Sequence, residues 1–188
     1  YWEDHGAFTG EVSVPMLKDL GVTYCIVGHS ERRGLFGETD EDVNKKVKAL
    51  LAGGITPIMC CGESLGIRDA GEYIEFVTAQ VDAGLAGLDD IDMKNVVVAY
   101  EPIWAIGTGR AATPEQAQEV CAHLRHVVAD MRGQQVADAV RILYGGSMKP
   151  ANVEMLMPLA DVDGGLIGGA ALDAKDFAYL VKAAHETR

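Results

Sequence analysis

Apolar positions along the chain gather into five short runs that do not alternate with polar ones. Residues 23–27 (TYCIV), 56–60 (TPIMC), 96–100 (VVVAY), 140–144 (VRILY) and 165–167 (GLI) are mostly apolar, with no clean alternation. A strand with one wet face alternates; a strand covered on both faces does not. The segments between them switch to a helical period. Residues 41–52 place Val43, Val47, Leu50 and Leu51 on one face. Further helices are predicted over 72–81, 113–131, 151–156 and 176–184. The second of these has its start written in the sequence: Thr113 as N-cap, Pro114 in the first position, Glu115 and Gln116 in the first turn. Pro150 marks another start. Strand and helix alternate with no hairpin signal, so the connections are crossovers and the sheet is parallel. The pattern predicts an α/β fold, with the sheet open or closed.

The punctuation differs between the two ends of each strand. Polar and glycine-rich clusters follow every run: GHSERRG, CGES, EPIWAIGTG, GGS and GGAA. In parallel α/β folds, sites form at the carboxyl ends of the strands, so five such clusters converge on one face. Charge narrows the chemistry. The 188 residues carry a net charge of −12, which argues against nucleic acid and against an anionic membrane surface as partners. An anionic substrate would need a local source of positive potential. No apolar run approaches the roughly 20 residues of a membrane span, and there is no signal-type segment. Cys25, Cys60, Cys61 and Cys121 show no metal-type spacing. They read as thiols in a reducing, cytoplasmic setting.

Within the convergent clusters, Glu101 ends the most apolar run and is followed by Pro102. A carboxylate at a dry strand end costs free energy unless it is bonded or used. It is either a buried residue held by amides or an arginine, or a base for a carbon-bound proton. His29 also ends a strand and begins a helix start, Ser30-Glu31-Arg32-Arg33. A helix N-terminus disfavours imidazole protonation and suits a neutral electrophile, though a merely hydrogen-bonded histidine fits as well. Gly145-Gly146-Ser147 and Gly168-Gly169 are strand ends whose bare backbone amides suit a phosphate. Tight turns also use glycine, so the weight lies in having two such loops side by side. Residues 102–109 combine a stiff start, Pro102-Ile103-Trp104, with Ala105 and an apolar, glycine-bounded tip, Ile106-Gly107-Thr108-Gly109, as a water-excluding lid would. His123 and His126 read as surface residues on a helix, without a matching carboxylate pair for a metal.

Together these segments resemble the triosephosphate isomerase family. YEPIWAIGTGRAATPEQ is similar to its catalytic-glutamate and lid segment, VGHSERR to its histidine segment, and YGGS and LIGGAAL to its phosphate loops. CCGE and EDHGAFTGEVS are similar as well, and the resemblance runs through essentially the whole chain. The family is itself a standard illustration of a neutral catalytic imidazole and of lid closure. The resemblance implies a (β/α)8 barrel that interconverts glyceraldehyde 3-phosphate and dihydroxyacetone phosphate, a step of glycolysis and gluconeogenesis, through an ene-diolate, with no metal and no organic cofactor. It implies that Glu101 is the base, that His29 polarises the carbonyl, and that Glu31 belongs to the supporting network. It gives phosphate binding to Gly107, Ser147, Gly168 and Gly169. It gives the lid to residues 102–112 and its latch to Tyr144 and Ser147. It implies a homodimer in the full-length form.

The sequence departs from the family at one place. The asparagine and lysine that end the family's first strand have no counterpart here. Five strand–helix units are legible where the barrel has eight, and about sixty residues of a family chain of about 250 are unaccounted for. The expectation is one domain over 1–188, the carboxyl-terminal portion of an incomplete barrel, inactive or nearly so when isolated. Two other readings stay open: a non-enzymatic fragment, and another phosphate-binding barrel enzyme such as an epimerase or an aldolase-type lyase.

Overall fold

In the computed structural model, which describes residues 1–106 and 111–187, the apolar runs become five parallel strands. A short helix α1 (Val14–Asp19) leads into β1 (Tyr24–Val27), followed by α2 (Ser30–Phe36) and α3 (Asp40–Ala52). Next come β2 (Thr56–Cys61), α4 (Leu65–Asp69), α5 (Tyr73–Gly84) and α6 (Asp90–Lys94), then β3 (Val97–Tyr100). The chain continues through α7 (Pro114–Arg132), α8 (Gln134–Ala137), β4 (Arg141–Tyr144), α9 (Val153–Leu156), β5 (Gly164–Gly165) and α10 (Ala174–Glu186).

Strand order in space follows order in sequence, from β1 to β5. The register sets Cys61 beside Tyr100, Tyr100 beside Tyr144 and Tyr144 beside Gly165. Whatever follows these residues therefore lies on one rim. Gly62, Glu101, Gly145 and Leu166 become neighbours through this register. The sheet is open among the described residues, with β1 and β5 at its edges. At the β1 edge Tyr24 and Ile26 stay 50% and 47% exposed although their run is apolar throughout.

The helices form where the pattern placed them, with instructive differences at their ends. Helix α7 begins with Thr113 as N-cap, as expected, and Gln116 completes a capping box with it. Thr39 and Asp42 make a second box at the start of α3. Helix α9 starts at Val153 rather than at 151, because Asn152 closes a turn first. Its side chain accepts from the Lys149 amide at 2.8 Å and donates to the Ser147 carbonyl at 2.8 Å. The last strand is shorter than its apolar run, although the Leu166 amide still donates to the Tyr144 carbonyl at 3.0 Å. His123 is half-buried, not a surface residue, and lies 2.7 Å from the Thr78 hydroxyl across the α5–α7 contact. Helix packing desolvates it and lowers its pKa.

At the opposite end of the sheet, one guanidinium ties α7 to the strands. Arg125 donates to Asp161 and to Asp163 at 2.7 Å each, and to the Ala137 and Val140 carbonyls at 3.0 Å. Asp163 also accepts from the Ile142 amide at 2.8 Å. Removing the cation would take the guanidinium from two half-buried carboxylates, with Asp161 still held by Gln118 and Asp163 by the Ile142 amide. Arg125→Met is expected to cost about 3–5 kcal/mol, read as a fall in the urea midpoint.

Candidate active site

Glu101 is the first residue after β3 and is 1% exposed. Its amide continues the ladder by donating to the Cys61 carbonyl at 2.7 Å, so the backbone at the rim is as fixed as the strand. The carboxylate reaches sideways to β1. Ser30 donates to it twice, from its amide at 3.0 Å and its hydroxyl at 3.1 Å. His29 Nε2 lies 2.9 Å from Glu101 Oε1.

His29 is the N-cap of α2, and its Nδ1 accepts the Glu31 amide at 3.3 Å. A nitrogen that accepts an N–H carries no proton, so the neutral ring holds its hydrogen on Nε2 and donates it to Glu101. It is the Glu31 amide that sets this tautomer. The Glu31 carboxylate is exposed and 4.0 Å from the ring. The resemblance put Glu31 in the supporting network; here its backbone amide is what bonds the ring.

Burial raises the pKa of Glu101, while His29, the two Ser30 donors and the Cys60 thiol act in the opposite direction. The sign has a consequence for stability. A carboxyl whose pKa is raised by folding favours the folded state in its protonated form, and that contribution is lost as pH rises through the folded value. Glu101→Gln is therefore expected to gain stability over the native chain as pH increases from about 4 to about 7. Paired urea titrations at the two pH values check this.

The segment after Glu101 is pinned to the end of β2. The Ile103 amide donates to the Glu63 carbonyl at 3.1 Å and the Trp104 indole to Glu63 Oε1 at 2.8 Å. Glu63 is fully buried. The same oxygen takes Arg68 at 3.0 Å and the Tyr100 hydroxyl at 3.0 Å. Pro102 and Ala105 are buried, and Ile103, Trp104 and Ile106 half-buried. Gly107, Thr108 and Gly109 lie outside the described residues. The Glu63–Arg68 anchor escaped the sequence reading. Its signal was a glutamate two residues past an apolar strand with an arginine five residues later, a common pattern on its own.

The remaining groups meet across the rim. A cavity of about 540 Å³ is lined by His29, Glu31, Ile106, Ser147, Lys149, Gly168 and Gly169 among others. Among the described residues, the amides of Gly146, Ser147, Gly168 and Gly169 donate to no protein acceptor. Glu101 does not line this cavity, being turned onto Ser30. Tyr144 is buried beneath it; burial pushes its hydroxyl up to about 12, against the effect of the Ala112 amide beside it.

The sequence that builds this rim matches known proteins along nearly its whole length. The family model described as triosephosphate isomerase covers residues 1–184. The chain belongs to the triosephosphate isomerase family. It is 58% identical over 180 residues to the triosephosphate isomerase of Lacticaseibacillus casei, covering 96% of this chain and 72% of that one. It is 56% identical over 181 residues to that of Lactobacillus gasseri, with the same coverage. The enzyme of Lactobacillus delbrueckii subsp. bulgaricus is 55% identical over 181 residues. The family is one of isomerases with the TIM-barrel fold, acting on triose phosphates in glycolysis. Among the described residues no helix is long and apolar enough to cross a membrane.

Proposed function

We propose that this chain interconverts dihydroxyacetone phosphate and glyceraldehyde 3-phosphate with Glu101 as the base and His29 as the electrophile. The observation that carries the reading is the 2.9 Å contact between His29 Nε2 and Glu101 Oε1 on the rim that also bears the phosphate-type loops. With substrate bound, the carboxylate leaves Ser30 and takes a proton from the carbon next to the carbonyl. It returns that proton to the neighbouring carbon. The raised pKa suits this role, since a base works best when its pKa approaches the working pH. His29 donates its Nε2 hydrogen to the carbonyl oxygen and, with Nδ1 held by the Glu31 amide, shuttles protons between the two oxygens.

The phosphate is held by the amides of Ser147, Gly168 and Gly169, an arrangement that needs no side-chain charge. Lid closure by residues 102–112 would bury Glu101 against the substrate, with Tyr144 and Ser147 as its latch. The same reading places the protein in the cytoplasm. It makes residues 5–12, exposed along their length, part of a homodimer contact with the exposed Met16 and Leu20.

Turnover by the 188-residue chain alone is expected to be slow. Among the described residues no lysine or arginine is bonded to Glu101 or His29, and an ene-diolate is stabilised by a cation as well as by an imidazole. A coupled assay for glyceraldehyde 3-phosphate formed from dihydroxyacetone phosphate tests the reading. Product above the buffer rate supports it, and a rate equal to buffer defeats it.

A further inference from the structure

Arg33 makes a bracket that the reaction as described does not use. It is the fourth residue of α2, its side chain is 14% exposed, and it does not line the cavity. Its Nε donates to the Gly28 carbonyl at 2.7 Å, and one terminal nitrogen to the Cys60 carbonyl at 3.2 Å. The other terminal nitrogen pairs with Asp40 at 2.5 Å.

These two carbonyls have particular neighbours. Gly28 directly precedes His29. Cys60 lies beside Glu101 through its thiol, and the next residue, Cys61, accepts the Glu101 amide. The β1–β2 ladder ends one step earlier, at Val27 and Met59. Past that point the two strand ends are joined by the guanidinium. Gly28 has φ 70°, and a Cβ there would come within 3.1 Å of the Cys60 carbonyl and 3.0 Å of the Arg33 fork. The close approach of the two backbones is thus built around the arginine. The Gly28 amide is held separately, by Glu38 at 3.1 Å, itself paired with Lys46.

We infer that Arg33 is a positioning residue that sets the separation of His29 and Glu101 by bridging the Gly28 and Cys60 carbonyls. A planar fork can bind two carbonyls at once; an ammonium cannot hold both in that geometry. The inference rests on the roles given above to Glu101 and His29.

The test compares three variants of the whole chain. Arg33→Lys keeps the charge and loses the fork. Asp40→Asn breaks the ion pair and leaves both carbonyl bonds. Arg33→Ala opens a space that free guanidinium can fill. The readouts are the His29 Nε2–H resonance by NMR, kcat and KM for dihydroxyacetone phosphate, and binding of inorganic phosphate.

Arg33→Lys is expected to lose or broaden the Nε2–H resonance and to lower kcat by about 10- to 100-fold. KM and phosphate affinity should stay within about twofold. Asp40→Asn should match the native chain, and guanidinium, but not ammonium, should restore the resonance in Arg33→Ala. A native-like resonance in Arg33→Lys, or an equal loss in Asp40→Asn, overturns the inference. If the native chain forms no product, the functional reading fails while the resonance still decides the role of Arg33.

Discussion

Replacing Glu101 by glutamine is expected to lower isomerase turnover by about 10²- to 10⁴-fold. The variant keeps the shape of the carboxylate and can still accept from the Ser30 amide, now 3.0 Å away. It cannot take a proton from carbon. Phosphate affinity should be unchanged, because Ser147, Gly168 and Gly169 lie on other strand ends. Turnover measured against inorganic phosphate binding separates the two effects. A loss of both together would point to a collapsed rim and not to a missing base.

A second large effect is expected at Gly62, which has no chemistry of its own. A Cβ added there would sit 1.7 Å from the Glu101 carbonyl oxygen and 2.7 Å from its carbonyl carbon. Backbone meets backbone, so no change of rotamer relieves the clash. Overpacked sites usually cost about 1–3 kcal/mol, and Gly62→Ala should reach the upper end or pass it. The strain falls on the segment whose Glu101 amide reaches Cys61 at 2.7 Å, so activity should drop with stability. Gly34→Ala is the control. A Cβ in that part of α2 meets nothing within 4 Å, and alanine is the better helix former. Urea midpoints for the two variants should therefore move in opposite directions.

How much of this could be read from the sequence depended on the range of the signal. The strands were legible because burial on both faces leaves uninterrupted apolar runs, and the long helices because their apolar stripes and caps are local. Helix α7 shows this best, since Thr113, Pro114 and Gln116 announce its start within four residues. The short helices α1, α4, α6 and α8 have too few turns to show a period. The clusters at the strand ends gave the rim, and the resemblance gave Glu101 and His29 their expected roles.

What stayed hidden was long-range pairing. Nothing in the spacing of Glu63 and Trp104, or of Arg33 and Cys60, says that they touch, since register across β1, β2 and β3 decides it. The bond from the Glu31 amide to His29 was equally invisible. Backbone donors carry no letter in a sequence.

The central claim is that Glu101 moves a carbon-bound proton, and solvent deuterium reports on that step directly. Dihydroxyacetone phosphate would be incubated with the chain in deuterated buffer and its C1 methylene signal followed by NMR. A carboxylate base that equilibrates with solvent between the two proton transfers leaves deuterium on carbon. The account predicts loss of the C1 proton signal faster than in buffer alone, and a return to the buffer rate with Glu101→Gln. Exchange at the same rate in the native chain and the variant would contradict it.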